Sequence, residues 1–186
     1  MGKDKIKILA INSSPKLEGH TAHFLQSFIR SAEKLGADVI MVNLYKQHLK
    51  PFSGKLGIKI KSLAPLQKEM VNADGFVIAT PTYWFNEPGV LKNFMDWMTP
   101  LEENGFLLEG KVGGFIVYSP QGGETDILEN LAIVFNHMGV LLPPYSMIFY
   151  RNSADTWVKK DIPLLAKNMI QQIKAQKKLN ISWDYD

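Results

Sequence analysis

Ser13, Ser14, Lys16, Gly19, His20 and Thr21 fall within a few residues of one another, after the apolar run 8–11 and before an apolar pattern of helical spacing. Hydroxyls, a lysine, a histidine and a glycine between a strand and a helix are the means of holding an anion. A helix N-terminus presents unpaired N–H groups and the positive end of its dipole. A nucleoside triphosphate is a poor fit, because G-x-x-x-x-G-K-[ST] needs a lysine for the terminal phosphates. Here Ser14 takes the place of the first glycine and His20 the place of that lysine. A single phosphate monoester fits better, held without metal, since no carboxylate falls where a Mg²⁺ ligand would stand. The same residues also suit a plain strand-to-helix loop with Ser and Thr as caps, so the neighbouring segments decide. No G-x-G-x-x-G follows the first apolar run, which argues against a dinucleotide site of that kind.

Two further segments carry chemistry. In "PTYWFNEPGVLKNFMDW", 81–97, Tyr83, Trp84 and Phe85 stand in a row between a strand pattern and a helix pattern. Consecutive loop side chains cannot all enter a core, so at least one should line a cleft as a platform for a flat ligand. The alternative is that all three plug the sheet edge. In "SPQGGET", 119–125, Ser119, Gln121, Gly122 and Gly123 supply a hydroxyl, an amide and backbone N–H groups.

These three loops need elements to bring them together. Strand patterns are read at 5–12, 38–44, 75–80 and 111–119, and "PYSMIFYR" supplies a fifth. Helical spacing is read at 21–35, about 63–72, 89–98, 124–138 and 161–178, the last with Pro163 in its first turn. Five strands alternating with helices predict a parallel, doubly wound sheet with helices on both faces. Ligands bind such sheets at the C-terminal ends of the strands, which is where all three loops fall.

The chain of 186 residues reads as one domain over 1–186, 46% hydrophobic and 21% charged. A net charge of +3 does not point to nucleic acid, and no apolar run reaches the ~18 residues of a membrane span. With no cysteine, disulfides, thiol catalysis and a cysteine-held metal or iron–sulfur cluster are excluded. The N-terminus runs into a strand pattern rather than a signal sequence, so a cytoplasmic location is expected. His48 and His137 stand without metal-like partners in sequence and read as surface or structural residues, while Lys92 and Asp96 are spaced to pair across one helical turn.

The motif P-x-Y followed by P-G-V-L-K-N-x-x-D-W, through Pro81, Tyr83, Pro88, Gly89, Leu91, Lys92, Asn93 and Asp96, resembles the NADPH-dependent FMN reductases. The first loop is similar to that family's G-S-P-R-x-x-G-N-T phosphate loop, with Ser13, Ser14, Pro15, Lys16, Gly19, His20 and Thr21 in register. The resemblance implies a flavodoxin-like five-stranded sheet of order 2-1-3-4-5. It implies FMN, with the phosphate on Ser13, Ser14, Lys16, His20 and Thr21. The ring would be held by Pro81, Thr82, Tyr83, Trp84, Phe85 and Asn86 and flanked by Ser119, Gln121, Gly122 and Gly123. The activity implied is transfer of hydride from NADH or NADPH through FMN to a small acceptor, with no catalytic side chain, since the cofactor carries the chemistry. A homodimer or larger homo-oligomer is also implied, with Phe94, Trp97 and "TPLEENGFLLEG" suited to the contact.

The chain departs from that pattern in places. Lys16 replaces an arginine, giving a point charge instead of a fork, and His20 replaces an asparagine. Trp84 and Phe85 replace smaller residues, which narrows the space over a ring. Related iron–sulfur flavoproteins carry a cysteine cluster after the second strand, where "LKPFSGKLG" here has Phe52 and Lys55. The alternative of a different class is a flavodoxin-like electron carrier without nicotinamide turnover. Such carriers tend to be strongly acidic, and this chain is not.

Overall fold

The computed structural model describes residues 5–152 and 154–183. Its elements follow the order β1 (Lys7–Asn12), α1 (His20–Lys34), β2 (Asp38–Asn43), α2 (Pro65–Asn72), β3 (Gly75–Pro81), α3 (Gly89–Asp96), α4 (Thr99–Glu103), β4 (Val112–Tyr118), α5 (Glu124–His137), β5 (Met147–Tyr150) and α6 (Val158–Leu179). The strands form one sheet of order β2-β1-β3-β4-β5, and every pairing is parallel. This is the flavodoxin-like arrangement.

Alternation along the strands builds two cores. Leu9 and Ile11 of β1, Phe76 and Ile78 of β3, and Phe115 and Val117 of β4 pack against α2, α3, α4 and α5. Ile8, Ala10, Val77, Ala79, Val112 and Ile116 point the other way, onto α1 and α6. A fully buried side chain of this size stabilises the fold by roughly 1.5–3 kcal/mol, so a one-residue slip of register would turn both layers inside out. Helix α1 meets its layer through Phe24, Leu25, Phe28, Ile29 and Ala32, the i, i+3, i+4, i+7 stripe that its sequence predicts.

Several boundaries move. Helix α6 starts at Val158, so Pro163 lies inside it rather than in its first turn. The buried stripe that ends at Ile173 already includes Ile162, and packing of the earlier turn outweighs the backbone bond that the proline cannot make. The segment read as the loop "TPLEENGFLLEG" contains the short helix α4, whose Leu101 is buried together with Leu108. Phe94 is also inside the core at 1% exposure, and the Trp97 indole N–H donates to the Lys50 carbonyl (2.8 Å). Phe94 is therefore not available for contact with a second copy, and Trp97 serves its own chain. Together with Asn93, whose amide donates to the same Lys50 carbonyl (3.0 Å) and accepts from Phe52 N–H (2.8 Å), it ties down the loop after β2. Lys92 and Asp96 do pair on the face of α3.

At the base of the sheet, Lys111 donates to the carbonyls of Val71 (2.6 Å) and Ala73 (2.7 Å), closing the C-terminal end of α2. Burial pushes this amine below the usual lysine range. Gly75 sits opposite Val112, and a Cβ there would come within 2.6 Å of the Val112 carbonyl. Gly75→Ala is expected to force β3 and β4 apart, at a cost of about 1–3 kcal/mol, read as a lower urea midpoint with an unchanged m-value.

Candidate cofactor site

β1, β3 and β4 leave the sheet at the same edge, and the three chemistry-bearing loops follow them. The first is pinned by two buried asparagines that end neighbouring strands. Asn12 Oδ1 accepts from Ser14 N–H (2.9 Å), and Asn43 Nδ2 donates to the Ser14 carbonyl (2.8 Å). Ser13 turns inward, its N–H (2.9 Å) and hydroxyl (3.3 Å) both donating to the Ala79 carbonyl of β3. Ser14 Oγ accepts from Lys16 N–H (3.2 Å). Gly19 begins α1 with no side-chain cap, which leaves the first-turn N–H groups to an outside acceptor. In this loop the Thr21 hydroxyl, on a residue 2% exposed, and the buried Asn12 Nδ2 have no acceptor, and the Ser14 hydroxyl, which accepts from Lys16 N–H, keeps its own proton unspent. The His20 ring lies against Tyr118 at the end of β4 (centroids 4.7 Å), joining this loop to the third.

The second loop is a two-residue hairpin. Tyr83 N–H donates to Asn86 O (2.8 Å) and Asn86 N–H to Tyr83 O (3.1 Å), with Trp84 at φ +52° and Phe85 at φ +63°. Positive φ at both central residues is the signature of a type I′ turn, normally built from Asn and Gly. A left-handed residue with a Cβ costs roughly 1–2 kcal/mol, and such strain persists where the surroundings over-determine it. Here the brace is Gly123: a Cβ on it would lie 2.1 Å from the Phe85 carbonyl oxygen, so only glycine admits the hairpin. Glu87, leaving the turn, accepts from Asn130 Nδ2 of α5 (2.9 Å). The aromatic side chains face out, Tyr83 42%, Phe85 58% and Trp84 96% exposed. They do not plug the sheet edge.

The third loop stands opposite. Together with the hairpin it encloses a cavity of about 360 Å³, lined by Thr82, Tyr83, Trp84, Phe85, Pro120, Gln121 and Gly122, which is within the usual range for a small-molecule site. The Ser119 hydroxyl is not free to enter it. Its proton is shared between Gly122 O (2.6 Å) and Glu124 Oε2 (2.8 Å), and its oxygen accepts from Gly122 N–H (3.1 Å). Glu124 is buried at the first position of α5 and paired with Arg151, which follows β5. Desolvation pushes the Glu124 carboxyl up. Hydrogen bonds from Arg151, from its own backbone N–H and from Ser119, with the Arg151 charge, outweigh this and leave it below the usual carboxylate range.

Of the residues singled out in sequence, Thr82, Tyr83, Trp84, Phe85, Gln121 and Gly122 meet around the cavity, and Ser14, Lys16, His20 and Thr21 surround the open end of α1. Pro81 is buried as the last residue of β3, Asn86 closes the hairpin, Gly123 lies behind Phe85, and Ser13 and Ser119 are committed to backbone. Sequence reading missed Asn12, Asn43, Pro120, Glu124 and Arg151. Asn12 had one signal, the end of the first strand pattern at 12, whereas Asn43 fell inside the pattern read over 38–44.

The model of the NADPH-dependent FMN reductase family matches residues 6–152. An iron–sulfur flavoprotein of Methanocaldococcus jannaschii is 27% identical over 135 residues, covering 68% of this chain and 69% of that one. An NAD(P)H dehydrogenase (quinone) of Rhizobium meliloti is 27% identical over 134 residues, 69% of this chain and 63% of its own. Among solved structures, RosB with the bound intermediate 8-demethyl-8-formylriboflavin-5′-phosphate superposes with a TM-score of 0.84 at 15% identity, over 96% of this chain and 83% of that one. The family match makes this a flavin-dependent oxidoreductase. The chain belongs to the NADPH-dependent FMN reductase family, with FMN as cofactor and NAD(P)H as substrate.

If Asn43 holds the first loop in place, Asn43→Ala leaves the Ser14 carbonyl without its donor. It should cost about 1–3 kcal/mol in stability and weaken FMN binding severalfold, measured by urea unfolding and by flavin fluorescence titration.

Proposed function

We propose that this protein takes hydride from NAD(P)H and passes the two electrons on to a small acceptor, as hydride to a quinone, nitro or azo compound or flavin, or singly to metal ions with release of the proton, in the cavity between the aromatic hairpin and the third loop. The observation that carries this is the placement of a strained, outward-facing aromatic turn across a cavity from amide groups, on the same sheet edge as an uncapped helix with unspent donors. One end suits a dianion and the other a flat polar ring, and FMN has both.

The residues fit the cofactor. Thr21, Ser14, Lys16, His20 and the first-turn N–H groups of α1 would hold the phosphate, with the orphaned Asn12 amide as a further donor beside Ser14. The backbone of 82–86 and the Gln121 amide would hold the ring edges. Gly122 N–H is engaged by Ser119, so the Gln121 amide is the better donor for the N1 and O2 side. When bound, FMN supplies the hydride-accepting and hydride-donating atom, N5. The chain's work is to bind, orient and shield, and Trp84 and Phe85 narrow the approach. A homodimeric or larger form and a cytoplasmic location belong to the same reading, the first supported by the large exposed side chains Trp84, Phe85 and Ile133. No helix among the described residues is long and apolar enough to cross a membrane.

Thr21→Ala should weaken FMN binding by about 1.5–3 kcal/mol, the range for a hydrogen bond to a charged group, or roughly ten- to a hundredfold. Full affinity in both Thr21→Ala and Ser14→Ala would show that the first loop does not hold the phosphate.

Nicotinamide and acceptor share one open face and must use it in turn. Steady-state rates at several fixed acceptor concentrations should give parallel double-reciprocal lines, and Trp84→Ala should change acceptor preference more than FMN retention. Intersecting lines would mean that both substrates sit in the site together. An electron carrier would show no NAD(P)H turnover at all.

A further inference from the structure

Arg151 lies outside the cavity and beyond β5, yet the wall of the cavity is connected to it. Its Nε donates to Glu124 Oε1 (3.0 Å), and Nη2 donates to the same oxygen. The other carboxylate oxygen accepts from Ser119, and Ser119 holds both the N–H and the carbonyl of Gly122. Gly122 is in the cavity wall at φ +110°, and Gly123 beside it, at φ +88°, carries the Phe85 carbonyl. The carboxylate side chain is 4% exposed and the arginine 67%, so a surface cation compensates an anion that water does not reach. Removing one partner of such a pair leaves an uncompensated buried charge. Arg151 is the only charged side chain among the described residues that acts on Glu124; Ser119 from β4 is its other side-chain partner.

We propose that Arg151 is a positioning residue for the cofactor cavity: by holding the buried Glu124 carboxylate it fixes Ser119, and through Ser119 the Gly122 stretch of the cavity wall. The effect on FMN rests on the function proposed above, whereas the effect on the loop does not.

The sign with pH follows from the ion pair. With Arg151 present, the folded-state pKa of Glu124 is lowered, so its contribution to stability is present above the unfolded value near 4.5 and is lost as pH falls through the folded value. In Arg151→Met the lowering by Arg151 is lost, while desolvation still raises the carboxyl and its own backbone N–H and Ser119 still lower it, so the folded pKa lies above that of the parent protein. The stability that the lowered pKa confers at neutral pH is therefore smaller in the variant. The gap between the two proteins is widest at pH 7 and closes as pH falls through the lowered Glu124 pKa.

The test uses the full chain without flavin, then with it. In the flavin-free protein at pH 7, amide hydrogen exchange at Gly122 should quicken by roughly tenfold in Arg151→Met. Arg151→Lys, which keeps the charge without the fork, should recover most of that protection, and should fold even if the methionine variant does not. The stability gap should shrink as pH is lowered below 4.5. With FMN added, the dissociation constant should rise by about tenfold in Arg151→Met, as for loss of a charge-assisted contact, and by less in Arg151→Lys. Unchanged Gly122 exchange in Arg151→Met, a pH-independent stability gap, or equal losses in the methionine and lysine variants would overturn the positioning role. The two ideas fail separately. A loop that responds as expected in a wild type that binds no FMN sinks the cofactor reading alone, and tight FMN binding that ignores Arg151→Met sinks the positioning role alone.

Discussion

Parallel pairing of β1, β3 and β4 is the constraint on which the rest of the structure depends. Parallel strands leave the sheet in one direction, so the residues after Asn12, Pro81 and Tyr118 emerge side by side although more than a hundred positions separate the first from the last. An antiparallel neighbour would carry its loop to the opposite edge. The two cores hold that pairing in register, and the register decides which loop residues can meet.

The loops are then shaped by their own polar groups, which is why so few predicted side chains are free. Ser13 and Ser119 occupy the positions expected of ligand donors but spend their hydroxyls on backbone. Their role is to rigidify the loops, and the donors left over include the Thr21 and Ser14 hydroxyls and Asn12 Nδ2. A βα loop with exposed backbone would otherwise be free to move. Two asparagines on one side and the Ser119–Glu124–Arg151 chain on the other limit that freedom.

Strain concentrates in the hairpin. Two consecutive left-handed residues with large side chains are unfavourable, and the close seat of Phe85 on Gly123 holds them there. The result is a set of aromatic faces directed outward beside a polar cavity. Relatives named as iron–sulfur flavoproteins share about a quarter of the aligned residues with this chain, which has no cysteine. In the loop after β2, Asn93 and Trp97 supply the anchoring through hydrogen bonds to Lys50 and Phe52.

Local patterns alone were enough for the order of elements apart from α4, the parallel sheet and the three loops worth watching: apolar alternation, helical spacing, and Gly, Pro and hydroxyl residues at strand ends. The P-x-Y and P-G-V-L-K-N-x-x-D-W motifs were legible for the same reason and carried the family. What only the tertiary structure decided are relations between distant residues. Helix α6 begins a turn before the point that Pro163 marks, because the buried stripe favours it, and Phe94 lies in the core because α3 turns that face to the sheet. The need for glycine at 123 comes from a carbonyl thirty-eight positions earlier, at Phe85. Glu124 and Arg151 read as ordinary surface charges until β4 and β5 pair and bring them together across 27 positions. Periodicity records how a residue faces its own element. It does not record which groups on other elements will satisfy that residue's hydrogen bonds or charge, and in this protein that pairing separates the residues that bind from those that position.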